Sequence, residues 1–351
     1  MIVETVSLVD FRSYARLEQR LEPGVVLVTG PNGAGKTNLL ESLHVGTQGF
    51  SPRTRNDAQL IRFGADAARV QLDGHRYQVP MQIRVDLSTG RGKRASVNGA
   101  PLRGAEQLRS EVATLVFTPD RLSVVKGGPI VRRAYFDRAL GRLSPARAAL
   151  PSEYTAAVSQ RNAALRRVAA GFSSRDAVEP WTAQIVALGA ELVAARREAL
   201  ARLAPPFAER AGELGLPEAE LRYTGEPPSR EALEARLERD LERGVTSLGP
   251  HLDDIAISAG ARDLRSFGSQ GEQRLAVLAL LLAEAELIAE RSGAAPLLLL
   301  DDVLSELDPA RREILARHVV QLGQTLVTAT DASFLPGEPA QLIEIRDGKV
   351  V

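Results

Sequence analysis

The chain has no cysteine. That excludes disulfides, thiol catalysis and a cysteine-based zinc site, and it fits a reducing cytosol. Aromatic residues supply only 4% of its 351 positions, which disfavours a surface that stacks many bases of a single strand. Lysine is nearly missing, with Lys36, Lys93, Lys126 and Lys349 alone, an arginine bias we attribute to genome composition rather than to function. Net charge is missing too: 44 basic residues face 44 acidic ones. No global field therefore marks a polyanionic partner, and any such surface has to be a local patch. No apolar run approaches the ~18 residues that span a membrane. The start, MIVETVSLVDFRSY, has no basic segment followed by an apolar core, so no signal peptide is expected. Internal repeats and low-complexity tails are not evident. The expectation is a soluble, cytoplasmic protein long enough for two domains.

What is present begins with LVTGPNGAGKTNLLESL, residues 27–43. A β-rich run, Val25 to Val28, ends at Gly30, and from Lys36 onward Leu39, Leu40 and Leu43 recur at helical spacing. Between strand and helix, Gly30-Pro31-Asn32-Gly33-Ala34-Gly35-Lys36-Thr37 matches G-x-x-x-x-G-K-[ST]. Small residues let backbone N–H groups curl around a phosphate, and the helix N-terminus adds its dipole. Lys36 is placed to reach the β- and γ-phosphates, and the Thr37 hydroxyl to ligate Mg²⁺. This alone specifies nucleoside-triphosphate binding, not what the energy is used for.

Residues 1–130 alternate short β-like runs with turns, and Asp73-Gly74 and Asn98-Gly99 read as hairpin turns. Residues 131–248 change to Ala, Leu, Arg and Glu at helical spacing, as in Leu188, Leu192, Ala195 and Ala199, then Leu233, Leu237 and Leu241. Prolines, among them Pro180, Pro205 and Pro206, are expected to break this arm into pieces too short for a long coiled coil. From 249 to 351 the β/α alternation returns, with PLLLLDD suited to a strand buried on both faces and LIEIRDGKVV to a hairpin turning at Asp347-Gly348. The expected fold is α/β, a head split into 1–130 and 249–351 with flanking antiparallel hairpins and an inserted, mostly helical arm.

The run Leu297 to Leu300 delivers Asp301 and Asp302 at the carboxyl end of a strand, where ligands bind in open α/β sheets. Asp301 is placed to hold Mg²⁺, and Asp302 to orient or deprotonate an attacking water. Upstream, in RSFGSQGEQRLAVLALLLAEAELI, Ser269 and Gly271 directly precede a long apolar helix and form a second phosphate-binding end. Two distant helix starts of one head cannot easily grip one phosphate. The second is therefore expected to grip nucleotide held by a partner subunit.

The order of these motifs, followed by SELD at Ser305 to Asp308, resembles the ABC-type P-loop ATPase heads. The opening VSLVDFRSYARLEQRLEPGVVLVTGPNGAGKTNLLESL looks like the SMC-like repair ATPases. FTPDRLSVVKGGPIVRRAYFDRAL at 117–140, SQGEQR at 269–274 and LLLLDDVLSELD at 297–308 are similar to segments of the RecF family. The resemblance covers both ends of the chain and is weak through the arm. It implies a weak, switch-like ATPase that takes ATP and Mg²⁺ and closes as a head-to-tail homodimer. It further implies binding of duplex, gapped or junction DNA in the nucleoid, with no membrane partner. RecR and RecO type mediators would be partners in loading recombinase at single-strand gaps during DNA replication, recombination and the SOS response. By the same resemblance ATP is held by Gly30 through Thr37 and Asn38. The trans signature is Ser269, Gln270, Gly271 and Glu272, and Ser305 and Asp308 face the dimer partner. Lys36, Asp302 and Ser269 are the catalytic positions.

The chain departs from the ABC pattern in three places. Asp302 stands where Glu is usual, Thr330 and Asp331 stand where a switch histidine is usual, and Thr118-Pro119-Asp120 shows no Gln-loop glutamine. The last two absences weigh against a transporter-energising subunit, and the prolines of the arm against an SMC-like chromosome organiser. For DNA phosphates the basic candidates are Arg53 and Arg55, then Arg91, Lys93 and Arg94, then Arg132 and Arg133. Arg166-Arg167 and Arg196-Arg197 read as solvated helix charges, and His318 as a surface or packing histidine.

Overall fold

A computed structural model describes residues 2–351, with the backbone alone at 105, 106 and 110. It divides into two compact units. The first holds the chain up to residue 122 with 213–215 and 277–351, and the second holds 123–212 and 216–276. The sequence boundaries, 131–248 for the arm, thus differ from the observed ones. Residues 249–276, which include Ser269, belong to the second unit because strand pairing ties them there.

In chain order the strands are β1 (Ile2–Phe11), β2 (Tyr14–Arg20), β3 (Val25–Thr29), β4 (Ala67–Arg76), β5 (Val79–Ser88), β6 (Gly92–Val97), β7 (Ala100–Pro101) and β8 (Thr114–Phe117). The second unit contributes β9 (Ala219–Thr224), β10 (Asp254–Ala259) and β11 (Arg262–Asp263). The first unit then resumes with β12 (Leu297–Leu300), β13 (Thr325–Ala329), β14 (Gln341–Arg346) and β15 (Lys349–Val350).

The first unit contains two sheets. One has the order β15-β14-β3-β13-β12-β8, and every neighbouring pair from β14 to β8 is parallel. Buried on both faces, β3, β12 and β13 are continuous apolar or threonine runs rather than alternating ones. The other sheet is antiparallel, in the order β2-β1-β4-β5-β6-β7. Its strands alternate, with Val70, Leu72, Ile83 and Val85 inward and Arg69, Gln71, Arg84 and Asp86 outward. Leu39, Leu40 and Leu43 of the helix Lys36–Gln48 join one continuous core with Val6 and Leu8 of β1, Val26 and Val28 of β3, and Leu299 of β12.

Asp73-Gly74 is not a turn. β4 continues to Arg76 and reverses at Tyr77 and Gln78, both at positive φ (48° and 68°). Gly74 is there because a Cβ would overlap the carbonyl oxygen of Ile2 on β1. Asn98-Gly99 and Asp347-Gly348 do turn hairpins, with φ of 49° and 81° and of 49° and 71°.

The second unit is mainly helical but carries the antiparallel sheet β11-β10-β9, a strand run that helical periodicity did not reveal. The helix Glu179–Glu213 runs through Pro205 and Pro206 instead of breaking there. Each internal proline costs roughly 3 kcal/mol, and burial of Leu203, Phe207 and Ala211 around them offsets that cost. A fully buried ion pair, Arg161–Asp240 at 2.8 Å, joins two helices of this unit, with Thr182 and Thr246 accepting further bonds from the guanidinium. Among the described residues no helix is long and apolar enough to cross a membrane.

Candidate nucleotide site

β3 lies between β14 and β13 and ends at Thr29, directly before Gly30. Gly30 (φ 147°) passes so close to β14 that a Cβ would overlap the carbonyl oxygen of Ile345, so only glycine permits the loop to leave the sheet there. Gly35 (φ 118°) opens the helix Lys36–Gln48 with no side-chain cap and no acidic residue in the first turn. The first N–H groups of that helix are therefore left to a ligand, and an anion satisfies both them and the dipole. Tyr14 at the start of β2 donates from its hydroxyl to the Gly35 carbonyl (3.0 Å), which fixes the rim of the loop. Lys36 is buried and folded back, its Nζ donating to the carbonyls of Gly30 (2.7 Å) and Pro31 (3.0 Å). Burial lowers its pKa, while the charges of Asp302 and Asp301 work in the opposite direction.

β12 brings Asp301 to the same place. Its Oδ1 accepts from Thr37 Oγ1 on the phosphate-loop helix (2.9 Å) and from Thr328 Oγ1 on β13 (2.8 Å). Burial raises the Asp301 pKa, although those two hydroxyl bonds and the charge of Arg53 pull it down. Asp302 stands at φ 50°, with its N–H donating to Thr328 Oγ1 (2.9 Å). Its Oδ1 is buried with no hydrogen-bond partner among the described residues, an orphaned acceptor that calls for a donor or a cation. Thr37 Oγ1 and the two carboxylates are hard oxygen donors. They suit Mg²⁺, which binds through one or two protein ligands together with phosphates and water.

In the second unit Ser269 caps the helix Gln270–Ser292 in a reciprocal arrangement. Its Oγ accepts from Glu272 N (3.2 Å), and Glu272 Oε2 accepts from Ser269 N (2.8 Å). Backbone N–H donation from Ser269, then Arg262 at 2.8 Å, holds the Glu272 pKa below its ordinary value. Because the Ser269 oxygen accepts in the cap, its proton stays free to be donated outward, and a Cβ at Gly271 would lie 3.8 Å from that same oxygen, so the bare glycine leaves the hydroxyl uncovered. In the first unit Ser305 Oγ donates to the Asp302 carbonyl (3.0 Å), and Asp308 caps the helix Pro309–Gln321 by accepting from Arg311 N (2.9 Å).

A family model described as RecF/RecN/SMC N terminal domain matches residues 2–347. The DNA replication and repair protein RecF of Heliobacterium modesticaldum is 36% identical over 344 residues, 94% of this chain and 92% of its own length. The chain belongs to the RecF family. A solved structure of the recombination mediator protein RecF with ATP, described as part of a RecFOR pathway, superposes with a TM-score of 0.89 at 27% identity, over 99% of this chain and 96% of that one. The Smc head domain of Pyrococcus furiosus, at 18% identity and a TM-score of 0.61 over 99% of this chain and 95% of that one, shares the fold. The chain accordingly has the ABC-type ATPase head fold.

In this RecF-family chain two sets of basic candidates are corrected. Arg132 is buried, donates to both oxygens of Asp254 (2.7 Å from Nε) and to the carbonyls of Val125 and Gly127, and so spends four of its five N–H donors inside the protein, out of reach of a DNA phosphate. Arg133 donates to the Asp253 carbonyl, and burial lowers its pKa. Arg196 is no solvated charge either: it is buried, bidentate to Asp137 (2.7 and 2.8 Å), and donates to the Pro250 carbonyl. Lys93 pairs with Asp57 at 2.9 Å, whereas Arg55, Arg91 and Arg94 are exposed with no ion pair among the described residues. His318 meets Glu213 at 2.7 Å.

Arg53 turns inward to a cluster that sequence reasoning missed. Glu41, fully buried on the phosphate-loop helix, accepts from Arg12 (2.9 and 2.8 Å), Arg53 (3.2 Å) and Ser51 (2.5 Å). Arg53 also reaches Asn38 Oδ1 (3.2 Å), and Asn38 Nδ2 donates to Ser13 (2.9 Å). The only sequence signal was a carboxylate inside the apolar stretch LLESL.

Proposed function

We propose that this protein is an ATP-dependent DNA-binding ATPase of recombinational repair. ATP on the phosphate loop of one copy would be gripped by Ser269 and Gly271 of a second, and the closed homodimer would clamp duplex DNA at gaps. RecR and RecO type mediators would then load recombinase beside it. The observation that carries this reading is the Thr37–Asp301–Thr328 chain of hydroxyl and carboxylate beside the orphaned Asp302 Oδ1, an ATPase centre in a chain of the RecF family.

Lys36 has to leave the carbonyls of Gly30 and Pro31 to meet phosphate, so nucleotide binding exchanges internal bonds for external ones. Thr37 and Asp301 would hold Mg²⁺, whose charge would screen the phosphates as negative charge moves onto the leaving group. Asp302 supplies the acceptor that orients the attacking water or takes its proton. With one methylene less than the usual Glu it reaches less far, which supports slow hydrolysis acting as the release switch. Ser269, with its proton free, would donate across the dimer to the γ-phosphate.

Fluorescence anisotropy of a labelled gapped duplex, at fixed salt and with no nucleotide, ATP or ADP, tests the reading. ATP alone should tighten binding, and Lys36→Ala should abolish that effect. Absence of DNA binding in every nucleotide state would leave the ATPase assignment but remove the repair one.

A further inference from the structure

We infer that the outward face of the antiparallel sheet in the first unit, at the end nearest the phosphate loop, grips the phosphate backbone of duplex DNA through Arg16, Arg69, Arg84 and Arg94. The inference rests on the DNA-binding reading above and names the surface that would carry it.

Strand register builds this surface. Arg16 on β2 lies opposite Val9 on β1, Val9 opposite Arg69 on β4, Arg69 opposite Asp86 on β5, and Asp86 opposite Arg94 on β6. Because side chains alternate, all five lie on the face away from the core, where Leu8, Leu17, Val70 and Val85 point. Arg84 stands two residues along β5 on the same face. Four strand separations of ~4.8 Å place Arg16 and Arg94 about 19 Å apart, close to the combined ~18 Å width of the two grooves of B-DNA. One row thus spans both grooves, with the phosphate strand between them within its length.

The charge is one-sided at this end. Asp86 is shared by Arg69 (2.9 Å) and Arg84 (2.7 Å) and leaves that trio one positive charge, while Arg16 and Arg94 have no ion pair among the described residues. The row carries two net positive charges, Arg16, Arg69 and Arg94 against Asp86, with only Val9 between them; the neighbouring row adds Arg84 and, on β2, Glu18, which leaves the total unchanged. Farther along, Glu18 and Asp73 break the pattern, so the patch is bounded. No phenyl, phenol or indole ring stands on the outward positions of β1, β2, β4, β5 or β6. That suits recognition of duplex shape and charge over stacking of unpaired bases.

The patch is joined to the nucleotide site by a short piece of chain. β1 and β2 meet at Arg12 and Ser13, which bond to Glu41 and Asn38 of the phosphate-loop helix. Arg16 is two residues beyond Tyr14, the residue that holds the Gly35 carbonyl. Occupancy of either site therefore strains or relaxes the same turn.

The test measures the affinity of ATP-bound protein for a labelled blunt duplex over a series of salt concentrations. Each lost phosphate contact flattens the log–log salt slope by about 0.9, so R16Q/R94Q should flatten it by about 1.8. Asp86→Asn, which frees Arg69 and Arg84, should steepen it and tighten binding. Melting temperature and basal ATP hydrolysis should stay at the wild-type values in both variants, since none of these side chains touches the core or the nucleotide. Wild-type protein that binds duplex while both variants keep its slope would overturn the surface assignment and leave the repair reading standing. Failure of the wild type to bind duplex in any nucleotide state would sink that reading instead. A change in the ATP-dependent dimer mass by light scattering, with the DNA slope unchanged, would make the face a contact between copies and equally refute the proposal.

Discussion

Replacing Glu41 with Gln removes the one carboxylate that two arginines beside the phosphate loop share. Glu41 is fully buried, and both its oxygens are occupied by Arg12, Arg53 and Ser51. A glutamine amide keeps one acceptor but turns an NH₂ toward guanidinium donors, so at least one bond becomes a donor facing a donor. Removing one partner of a buried ion pair costs roughly 3–5 kcal/mol. Here the arginine side chains are 20% and 39% exposed, so water reaches them and the loss is reduced to about 2–3 kcal/mol. For a unit of roughly 200 residues, at ~2–4 °C per kcal/mol, the melting temperature should fall by about 4–12 °C. Differential scanning calorimetry of the variant measures it, with Arg53→Gln as comparison, since that exposed partner should cost under ~1 kcal/mol. The variant should also bind ATP more weakly, because Asn38 and Ser13 are held by the same cluster. A shift below ~1 °C with unchanged ATP affinity would show that the cluster neither stabilises the head nor shapes the site.

Thr328→Val keeps the shape of β13 but leaves Asp301 with one donor fewer and the Asp302 N–H with no acceptor. The expected loss is about 1–3 kcal/mol, with ATP turnover falling more than ATP affinity in steady-state assays. The buried carboxyl of Asp301 has a pKa raised above its ordinary value, so its ionised form costs stability above that raised value, and the cost disappears as pH falls through it toward the unfolded value. If Asp301 holds Mg²⁺ as proposed, Mg²⁺-dependent ATP binding requires the ionised form and should weaken on acidification earlier than an ordinary carboxylate would predict. Asp301→Asn, titrated by calorimetry across pH, should lose that dependence. In the second unit Arg161→Met strands the buried Asp240 and should cost roughly 3–5 kcal/mol, read as faster proteolysis of the arm. Adding Asp240→Leu should recover most of that loss.

The parallel sheet and its two carboxylates were legible because a strand buried on both faces has to be a continuous apolar run, and LLLLDD shows both the run and its end. The phosphate loop was legible because close backbone approach demands glycine at fixed spacing, as Gly30 against Ile345 demonstrates. Hairpin turns read less well. Asp73-Gly74 has the composition of a turn, but its glycine serves an interstrand contact, and the true reversal uses Tyr77 and Gln78, residues with no turn preference. Arginines were the hardest to place. Arg132, Arg161 and Arg196 are all buried in ion pairs whose acids lie 122, 79 and 59 residues away in sequence, so no local pattern separates them from the exposed Arg16 and Arg94. Only register and tertiary pairing do.

The centre itself is where local rules are broken together. Asp302 is a non-glycine residue at φ 50° with a buried oxygen left without a partner, two costs of roughly 1–3 kcal/mol each. Thr328 and Ser305 bond the Asp302 backbone, but no described residue bonds its buried Oδ1, and on the proposed mechanism both costs are retained for the reaction. Asp302→Gly removes both costs and should raise the melting temperature of the head while abolishing ATP hydrolysis. Asp302→Asn keeps the strained backbone and the buried polar atom, so it should stop hydrolysis without that gain and prolong the ATP-bound dimer. The comparison is decided by calorimetry and light scattering on the three proteins. If the glycine variant melts no higher than the asparagine variant, the left-handed backbone at this position stores no strain. If dimer lifetimes match the wild type in both, hydrolysis is not the step that releases the heads.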